Sequence, residues 1–405
     1  MKFNISNFFV YLFSFFLAFG KYDPFKTNGF YFDVIILCMI FCLALFTNVL
    51  SKFKIYESQL LILIYIGIII FVAGVFYGEP IFNFKYFSAI LIFWFLSYFF
   101  RNNPKTCIYS LLFFATSSSL IALLYTYGYF SDELIIKQGR LIIFEENPNS
   151  ISSRMAISFI VLMCIIIENP LKFNRIRFIF ILALPSLFIF VVDTGSRGSF
   201  LGLILGTVLL ALLAKIPKSY KFLISFCVFM ISISSINFMG GTSLFERFYD
   251  SDRLIGVREE IWSNAMQIFY DYPFGVGEIG YVSEMIERYS MEFDTHNLFI
   301  YFLVTGGFTS FLLFIYFLKK LFLKSIINFK NGSSLTLIIF AFLIFLISKT
   351  GGVLTYLMLW YLFSIINSFE VIENNFNVIS RGEKNKEFLN TYYLNSNKIK
   401  IKLCL

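Results

Sequence analysis

The sequence predicts an all-α, polytopic membrane protein with about twelve transmembrane helices, and three observations carry this prediction. Hydrophobic residues make up 58% of the 405 residues, and phenylalanine alone occupies 57 positions. The mean hydropathy is +0.78. Charged residues make up only 14% of the chain, whereas a soluble domain carries about 25%. Because so much apolar surface cannot be buried in the core of a water-soluble domain, most of it must face lipid.

Apolar runs divide the chain, and each is near the ~20 residues that a helix needs to cross the hydrocarbon core. Helices are expected because lipid offers no partner to an unpaired backbone group. The twelve runs are 5–20, 31–50, 59–77, 84–100, 107–128, 150–168, 176–192, 198–215, 220–238, 297–318, 334–349 and 352–369.

The distribution of Lys and Arg predicts the orientation. With the N-terminus in the cytoplasm, the inner segments and their flanks hold 21 of the 33 basic residues, and the outer segments hold the remaining 12. This positive-inside asymmetry predicts that both termini are cytoplasmic. The net charge of +8 is therefore a topology signal, and it does not indicate a nucleic-acid partner.

The arginines are distributed differently from the lysines, since seven of the eleven fall on the outer side. Arginine binds phosphate and carboxylate with a planar fork of donors. A single one of these residues is explained as well by anchoring to lipid headgroups, but the whole set favours an anionic ligand on the outer face. The seven are Arg140, Arg154, Arg197, Arg247, Arg253, Arg258 and Arg288.

The predicted organisation is a single transmembrane helical domain, residues 1–369, followed by a cytoplasmic tail, residues 370–405. Two outer loops stand out, 129–149 and 239–296, and the second precedes the tenth apolar run. None of the six cysteines lies in either loop, so neither a disulfide framework nor a zinc site is predicted. The first apolar run is interpreted as a retained span.

The longer outer loop contains a predicted helix, because four apolar residues recur there at helical spacing: Ile261, Ala265, Ile268 and Phe269. Such a helix is expected at the membrane surface with its apolar face down. Glu259 and Glu260 would lie in its first turn, where the helix dipole favours them, and Pro273 would end it. Three glycines then predict a flexible turn: Gly275, Gly277 and Gly280.

Two shorter segments bring arginine close to a helix start on the outer side. Asn147-Pro148-Asn149-Ser150 predicts a turn that caps the next helix, with Arg154 about one turn inside. Gly195 and Gly198 permit a tight reversal that leaves Arg197 at the start of a span. Free N–H groups and the helix dipole already favour an anion at both places.

In this order the motifs resemble those of the O-antigen ligase and O-antigen polymerase superfamily of bacterial envelope enzymes. The resemblance covers about residues 139–318, while the first 130 residues match only as hydrophobic spans. The matching pieces are Asn147-Pro148-Asn149, Ser196-Arg197-Gly198, Arg258 with Trp262 as R-x3-W followed by DYPFGVG, and His296-Asn297 before the pair Gly306-Gly307.

The resemblance implies a GT-C-like glycosyltransferase of the bacterial inner membrane, with its active face in the periplasm. Its donor would be an oligosaccharide on undecaprenyl pyrophosphate, without a cofactor, a metal or a nucleotide sugar. A ligase moves the glycan to lipid A-core, and a polymerase moves it to another lipid-linked repeat unit; a chain-length regulator is a further implied partner. The high Phe and Ile content and the lack of a long basic outer loop favour the polymerase.

Named residues suit this chemistry. A pyrophosphate leaving group is anionic, so Arg197 and Arg258 are predicted to hold it and to stabilise charge as the bond breaks. The acceptor hydroxyl must lose a proton, and a neutral imidazole with a pKa near ~6.5 is suited to accept it. His296, the only histidine, is therefore the predicted general base. The predicted substrate-binding residues are Arg154, Arg140, Arg253, Asn149, Asn297 and Trp262.

Two alternatives remain open. The scarcity of histidine argues against a transition-metal site, but Glu145, Glu146 and Asp294 leave a hard-cation site open. Outside the family, a transporter or flippase for lipid-linked oligosaccharides fits twelve spans equally well. A transporter, however, typically places charge within its spans and shows related halves with broken helices, whereas the ionisable residues here gather on the outer rim.

Overall fold

The computed structural model describes residues 5–20, 58–78, 84–102, 104–131, 134–137, 140–168, 175–214, 216, 221–222, 252–291, 293–349 and 356–369. Within these ranges the chain is mainly helical. Its helices are α1 (Ile5–Leu17), α2 (Ser58–Tyr77), α3 (Phe84–Asn102), α4 (Pro104–Thr126), α5 (Pro148–Glu168), α6 (Leu184–Asp193), α7 (Arg197–Leu213), α8 (Asp252–Asp271), α9 (Gly277–Tyr289), α10 (Leu298–Lys330), α11 (Leu335–Lys349) and α12 (Leu357–Ser368).

The predicted apolar runs that fall on described residues all contain a helix. By length and composition, α2, α4, α5 and α10 can each cross a membrane, and the shorter apolar helices accompany them. The run at 176–192 is divided, because a 3-10 segment at Arg175–Ala183 leads into α6. The runs 31–50 and 220–238 and the tail lie outside the described residues. The chain is thus a multi-pass membrane protein, and the count of twelve spans stays a prediction.

Small and hydroxyl-bearing residues line the contacts between the helices. Gly206 of α7 lies against Ile160 of α5, and Gly202 of α7 lies against Phe342 of α11. Ser153 of α5 shares a hydrogen bond with Ser199 of α7 at 3.0 Å. Because lipid tails are as apolar as leucine, close backbone approach and interhelical hydrogen bonds hold such helices together.

A β-hairpin occupies the first outer loop, where the sequence predicted only the turn before α5. Strand β1 (Leu134–Lys137) pairs antiparallel with β2 (Arg140–Ile143), with Leu134 opposite Ile143. Leu141 and Ile143 are buried on one face. Positive φ angles at Phe144 and Glu145 then turn the chain into α5. As predicted, the helix starts at Asn147-Pro148, and the Asn147 side chain accepts the N–H of Asn149 at 2.9 Å.

The second outer loop forms a helical hairpin of α8 and α9, which packs on α2 and α10. The predicted α8 is confirmed, and it ends two residues before Pro273. Its apolar face packs against Val276, Tyr281 and Met285 rather than facing only lipid. Helix α8 begins at Asp252, so Glu259 and Glu260 are exposed about two turns inside it and not in its first turn.

Of the flexible turn predicted from Gly275, Gly277 and Gly280, only Gly275 lies in a turn, where its N–H donates to the Tyr272 carbonyl at 2.8 Å. The prediction is wrong for the other two, because Gly277 begins α9 and Gly280 lies within it. These glycines permit close packing instead: a Cβ on Gly277 would lie 2.5 Å from Gly74 of α2, and one on Gly280 would lie 2.7 Å from the ring of Tyr77. The sequence of α9 has amphipathic helical spacing, but its glycines led to the prediction of a turn instead of a helix.

Helix α10 is broken at Gly307, which has φ 66° and ψ −170°. In an unbroken helix the N–H of Phe308 would donate to the carbonyl of Val304. Instead Phe308 donates to the Pro273 carbonyl at 3.2 Å, and the Val304 carbonyl accepts the N–H of Val276 at 3.0 Å. The segment Pro273–Val276 therefore replaces a single helical hydrogen bond with two bonds of its own. We call this contact the loop–helix junction.

Two glycines make the loop–helix junction sterically possible. A Cβ on Gly275 would lie 2.6 Å from the backbone N of Gly307, and a Cβ on Gly307 would collide with the backbone of Phe274. Both have positive φ angles, 90° and 66°, which glycine adopts without a steric penalty. The junction thus explains why the DYPFGVG stretch and the Gly306-Gly307 pair occur together.

Candidate active site

His296 lies in the segment that joins α9 to α10. Asn297 caps α10, since its side-chain oxygen accepts the N–H of Phe299 at 2.9 Å and of Ile300 at 3.3 Å. His296 itself has φ 49°, a left-handed conformation that is uncommon outside glycine and costs about 1–3 kcal/mol. We call residues 293–297 the His loop.

Two aromatic residues of the helical hairpin hold the His loop in place. The indole N–H of Trp262 on α8 donates to the Thr295 carbonyl at 2.8 Å, and the Tyr281 hydroxyl on α9 donates to the Phe293 carbonyl at 3.4 Å. Within the loop, the Thr295 hydroxyl donates to the Asn297 carbonyl at 2.9 Å. These bonds offset the backbone strain at His296, because they fix the loop on both sides of it.

The surroundings of His296 keep its imidazole neutral. Burial lowers the pKa of His296, the positive charge of Arg258 lowers it further, and the carboxylate of Asp294 opposes both. Since the reference pKa is ~6.5, the neutral form predominates at neutral pH. A neutral imidazole has one nitrogen that can accept a proton.

Asp294 is a site residue that the sequence indicated only as a cation ligand. Its carboxylate lies beside His296, and burial is the main cause that raises the pKa of Asp294, while His296 lowers it. The oxygen Oδ2 is buried and has no hydrogen-bond partner among the described residues. A carboxylate two residues before the only histidine was the signal that could have found it.

The structure brings Arg258 within electrostatic reach of both Arg197 and His296. Burial lowers the pKa of the half-buried Arg258, and the positive charge of Arg197 lowers it further. In the part of the chain that the structure describes, no carboxylate lies within ion-pair distance of Arg258. Arg197 is the first residue of α7, after the N-cap Ser196. Three separate elements thus converge: the start of α7, helix α8 and the His loop.

The other predicted arginines have different surroundings. Arg154 is buried and makes a bidentate ion pair with Glu146, with Nη1 at 2.8 Å from Oε1 and Nη2 bonded to Oε2. Arg288 pairs with Asp271 and Glu284, and the Tyr77 hydroxyl donates to Glu284 at 2.5 Å, which fastens α9 to α2. Arg253 lies in the first turn of α8, and Arg247 lies outside the described residues.

Asn149 connects the β-hairpin to the start of α7. Its side-chain oxygen accepts Nη2 of Arg140 at 2.6 Å and the hydroxyl of Ser196 at 3.0 Å. Ser196 in turn accepts the N–H of Ser199 at 3.5 Å, which caps α7. Of the predicted substrate-binding residues, Asn149 thus contacts the residue before Arg197, and Arg140 contacts Asn149. Among the described residues, no group of three His, Cys, Asp or Glu side chains could hold a metal ion.

One comparison with known proteins finds a family to which part of the chain is similar. Residues 178–315 match the family model described as O-antigen ligase, a segment that contains Arg197, Arg258, Trp262 and His296. No curated protein matches the chain. The match supports an enzyme with a polymerase or ligase role in O-antigen biosynthesis. Over residues 178–315 the chain is similar to the O-antigen ligase family, which supports the O-antigen ligase and polymerase superfamily that its motifs predicted.

Proposed function

We propose that the chain is an O-antigen polymerase of the bacterial inner membrane, with its site on the periplasmic face. It would transfer a glycan from undecaprenyl pyrophosphate to a sugar hydroxyl of another lipid-linked repeat unit. The observation that carries this proposal is the position of Arg258, which lies within electrostatic reach of Arg197 on one side and of His296, whose pKa is lowered, on the other. The positive charges around His296 and the family match over residues 178–315 together support it.

The arginine pair is suited to a pyrophosphate. Two neighbouring positive charges repel each other, and a ligand with two phosphoryl groups would remove that repulsion. Arg197 adds a helix N-terminus, where the dipole and free N–H groups favour an anion. As the bond between the anomeric carbon and the pyrophosphate oxygen breaks, negative charge grows on that oxygen. Arginines already in place stabilise this charge without rearrangement.

His296 is suited to the other half of the reaction. The acceptor hydroxyl attacks the anomeric carbon, and its proton passes to the neutral imidazole. The bond to pyrophosphate breaks as the new glycosidic bond forms, so undecaprenyl pyrophosphate leaves with the electron pair. Asp294 would stabilise the imidazolium that results, because its carboxylate is the nearby negative charge.

A ligase is the second candidate function, because the matching family model is described as O-antigen ligase. In that case the acceptor would be lipid A-core. Transport of a lipid-linked oligosaccharide is less well supported. A broken helix such as α10 is typical of transporters, but here Pro273–Val276 occupies the backbone groups at the break, and a transported substrate would need them open.

The test uses the purified protein in lipid vesicles, with undecaprenyl-pyrophosphate-linked repeat units as the only sugar source. We expect a ladder of products on a gel with the wild type and a loss of about 10²–10⁴-fold in rate with His296→Ala. Product that appears only after lipid A-core is added would overturn polymerisation in favour of ligation. An unchanged rate in a well-folded His296→Ala variant would exclude His296 as the base.

A further inference from the structure

Helix α8 meets the His loop through two residues of one face. Arg258 and Trp262 are four residues apart, so they lie on the same side of the helix, about 6 Å apart along its axis. The residues with which they interact are adjacent as well. The positive charge of Arg258 interacts with His296, and the Trp262 indole N–H donates to the carbonyl of Thr295. The two contacts therefore run side by side between one helix face and one loop.

Trp262 is itself held firmly. Its ring packs against the buried cluster between α8, α9 and α10, whose members are Ile261, Ala265, Ile268, Val276, Tyr281, Met285 and Val304. Its indole nitrogen can only donate, and Thr295, which supplies the acceptor, is fully buried. At 2.8 Å this bond is shorter than the 3.4 Å bond from Tyr281 to Phe293. The Trp262 bond is also nearer to the histidine along the chain.

We propose that Trp262 is a positioning residue, whose bond to the Thr295 carbonyl sets the place of the His296 imidazole relative to Arg258. This inference rests on the proposed function of His296, and it assigns Trp262 a role other than stacking on a sugar. A left-handed backbone persists only where its surroundings hold it. Without the Trp262 bond, His296 relaxes toward an ordinary conformation and the imidazole moves away from the arginine.

The test replaces Trp262 with phenylalanine, which keeps an aromatic ring and removes the N–H donor. The matched control is Tyr289→Phe, which removes a 2.7 Å hydrogen bond to Gln267 between α9 and α8, away from the His loop. A second variant carries the benzothiophene analogue of tryptophan at position 262. In that analogue sulfur replaces N–H in a ring of nearly the same shape, so a packing defect cannot account for its effect.

The first readout is independent of activity. Because the chain has one histidine, isotope-labelled histidine gives a single imidazole NMR signal, and its titration reports His296 alone. We expect both position-262 variants to raise the pKa of His296 toward ~6.5, since the imidazole leaves Arg258 and its buried place. The control should keep the wild-type value. A wild-type titration in both position-262 variants would overturn the proposal.

The second readout separates positioning from sugar binding. In the transfer assay we expect kcat to fall by about tenfold or more with KM unchanged, because the base is misplaced while the substrate still binds. A raised KM with an unchanged His296 titration would assign Trp262 to the sugar and overturn positioning. If the titration shifts as expected but the wild type transfers no glycan, the proposed function fails and the positioning of His296 stands.

Discussion

Two arginines of the outer face, Arg154 and Arg258, look equivalent in the sequence and differ in the structure. Arg154 is buried, with 3% of its side chain exposed, and it is paired with the buried Glu146. Arg258 is half-buried, lies near another arginine, and has no carboxylate within ion-pair distance in the described part of the chain.

This contrast shows two ways in which a protein can use a cation that is removed from water. A buried charge is costly unless a counter-charge compensates it. At Arg154 the chain supplies that counter-charge itself, so the residue contributes to structure. At Arg258 the described chain does not supply one, which leaves the place for a ligand.

The largest effect is expected at the buried ion pair. Glu146→Gln removes the buried carboxylate that pairs with Arg154, and we expect the free energy of unfolding to fall by about 3–5 kcal/mol. Thermal unfolding in detergent or lipid measures this. The double variant Glu146→Leu with Arg154→Met should recover most of the loss, because it removes both charges. If the single variant were as stable as the wild type, the structural role of Arg154 would be wrong.

At Arg258 we expect the opposite pattern. Arg258→Gln should slow glycan transfer by roughly 10²–10³-fold, since a donor to the leaving group is lost. Stability should be unchanged or slightly higher, because the repulsion with Arg197 is removed. Single-turnover transfer and thermal unfolding test both halves. Destabilisation as large as that of Glu146→Gln would remove the distinction between the two arginines.

The pH dependence of kcat/KM should change when Arg258 is replaced and should stay the same when Arg154 is replaced. The pKa of His296 is lowered and the base must be neutral, so kcat/KM should stay flat through neutral pH and fall only below ~6.5. Arg258→Gln removes a positive charge that disfavours the imidazolium. It therefore raises the pKa of His296 and moves the acid limb to higher pH. An equal move in the Arg154→Met, Glu146→Leu double variant would contradict this coupling.

The smallest effect is expected at the cap of α7. Ser196→Ala removes the side-chain cap that precedes Arg197 and should cost about 1 kcal/mol of stability. It also removes the 3.0 Å bond to Asn149, so transfer should slow only a few-fold as Arg197 loses some order. Ser186→Ala, which changes a buried serine in α6, serves as the control. A complete loss of transfer in Ser196→Ala would assign the serine a direct role.

The sequence predicted the parts that depend on local pattern. Apolar length located the helices, the spacing of Ile261, Ala265 and Ile268 located α8, and the Ser196-Arg197-Gly198 turn located the start of α7. The parts that depend on tertiary contact were not accessible. Whether Glu145 or Glu146 meets Arg154 depends on two positive φ angles, which composition does not reveal.

The same limit applies to the glycines. Gly275 and Gly277 indicate freedom when the sequence is considered alone, and only the packing partner shows that the missing Cβ makes room for another backbone. Trp262 was predicted to bind substrate because its aromatic ring could stack on a sugar ring. Its hydrogen bond to the Thr295 carbonyl becomes visible only when the loop 33 residues away along the chain is in place.

The loop–helix junction has a consequence for assembly. An unpaired backbone group in lipid costs several kcal/mol, so a membrane helix that breaks must find substitutes for the lost bond. Here residues 273–276 supply the substitute hydrogen bonds. They contact α10 at its break, which lies about 14 Å along the helix axis from its first residue. If those residues withdrew, the carbonyl of Val304 and the N–H of Phe308 could pair with each other, and the withdrawn groups could pair with water. The loop–helix junction can therefore form and open without leaving an unpaired backbone group in lipid. A newly inserted α10 can cross the bilayer as a continuous helix, and its break can form afterwards.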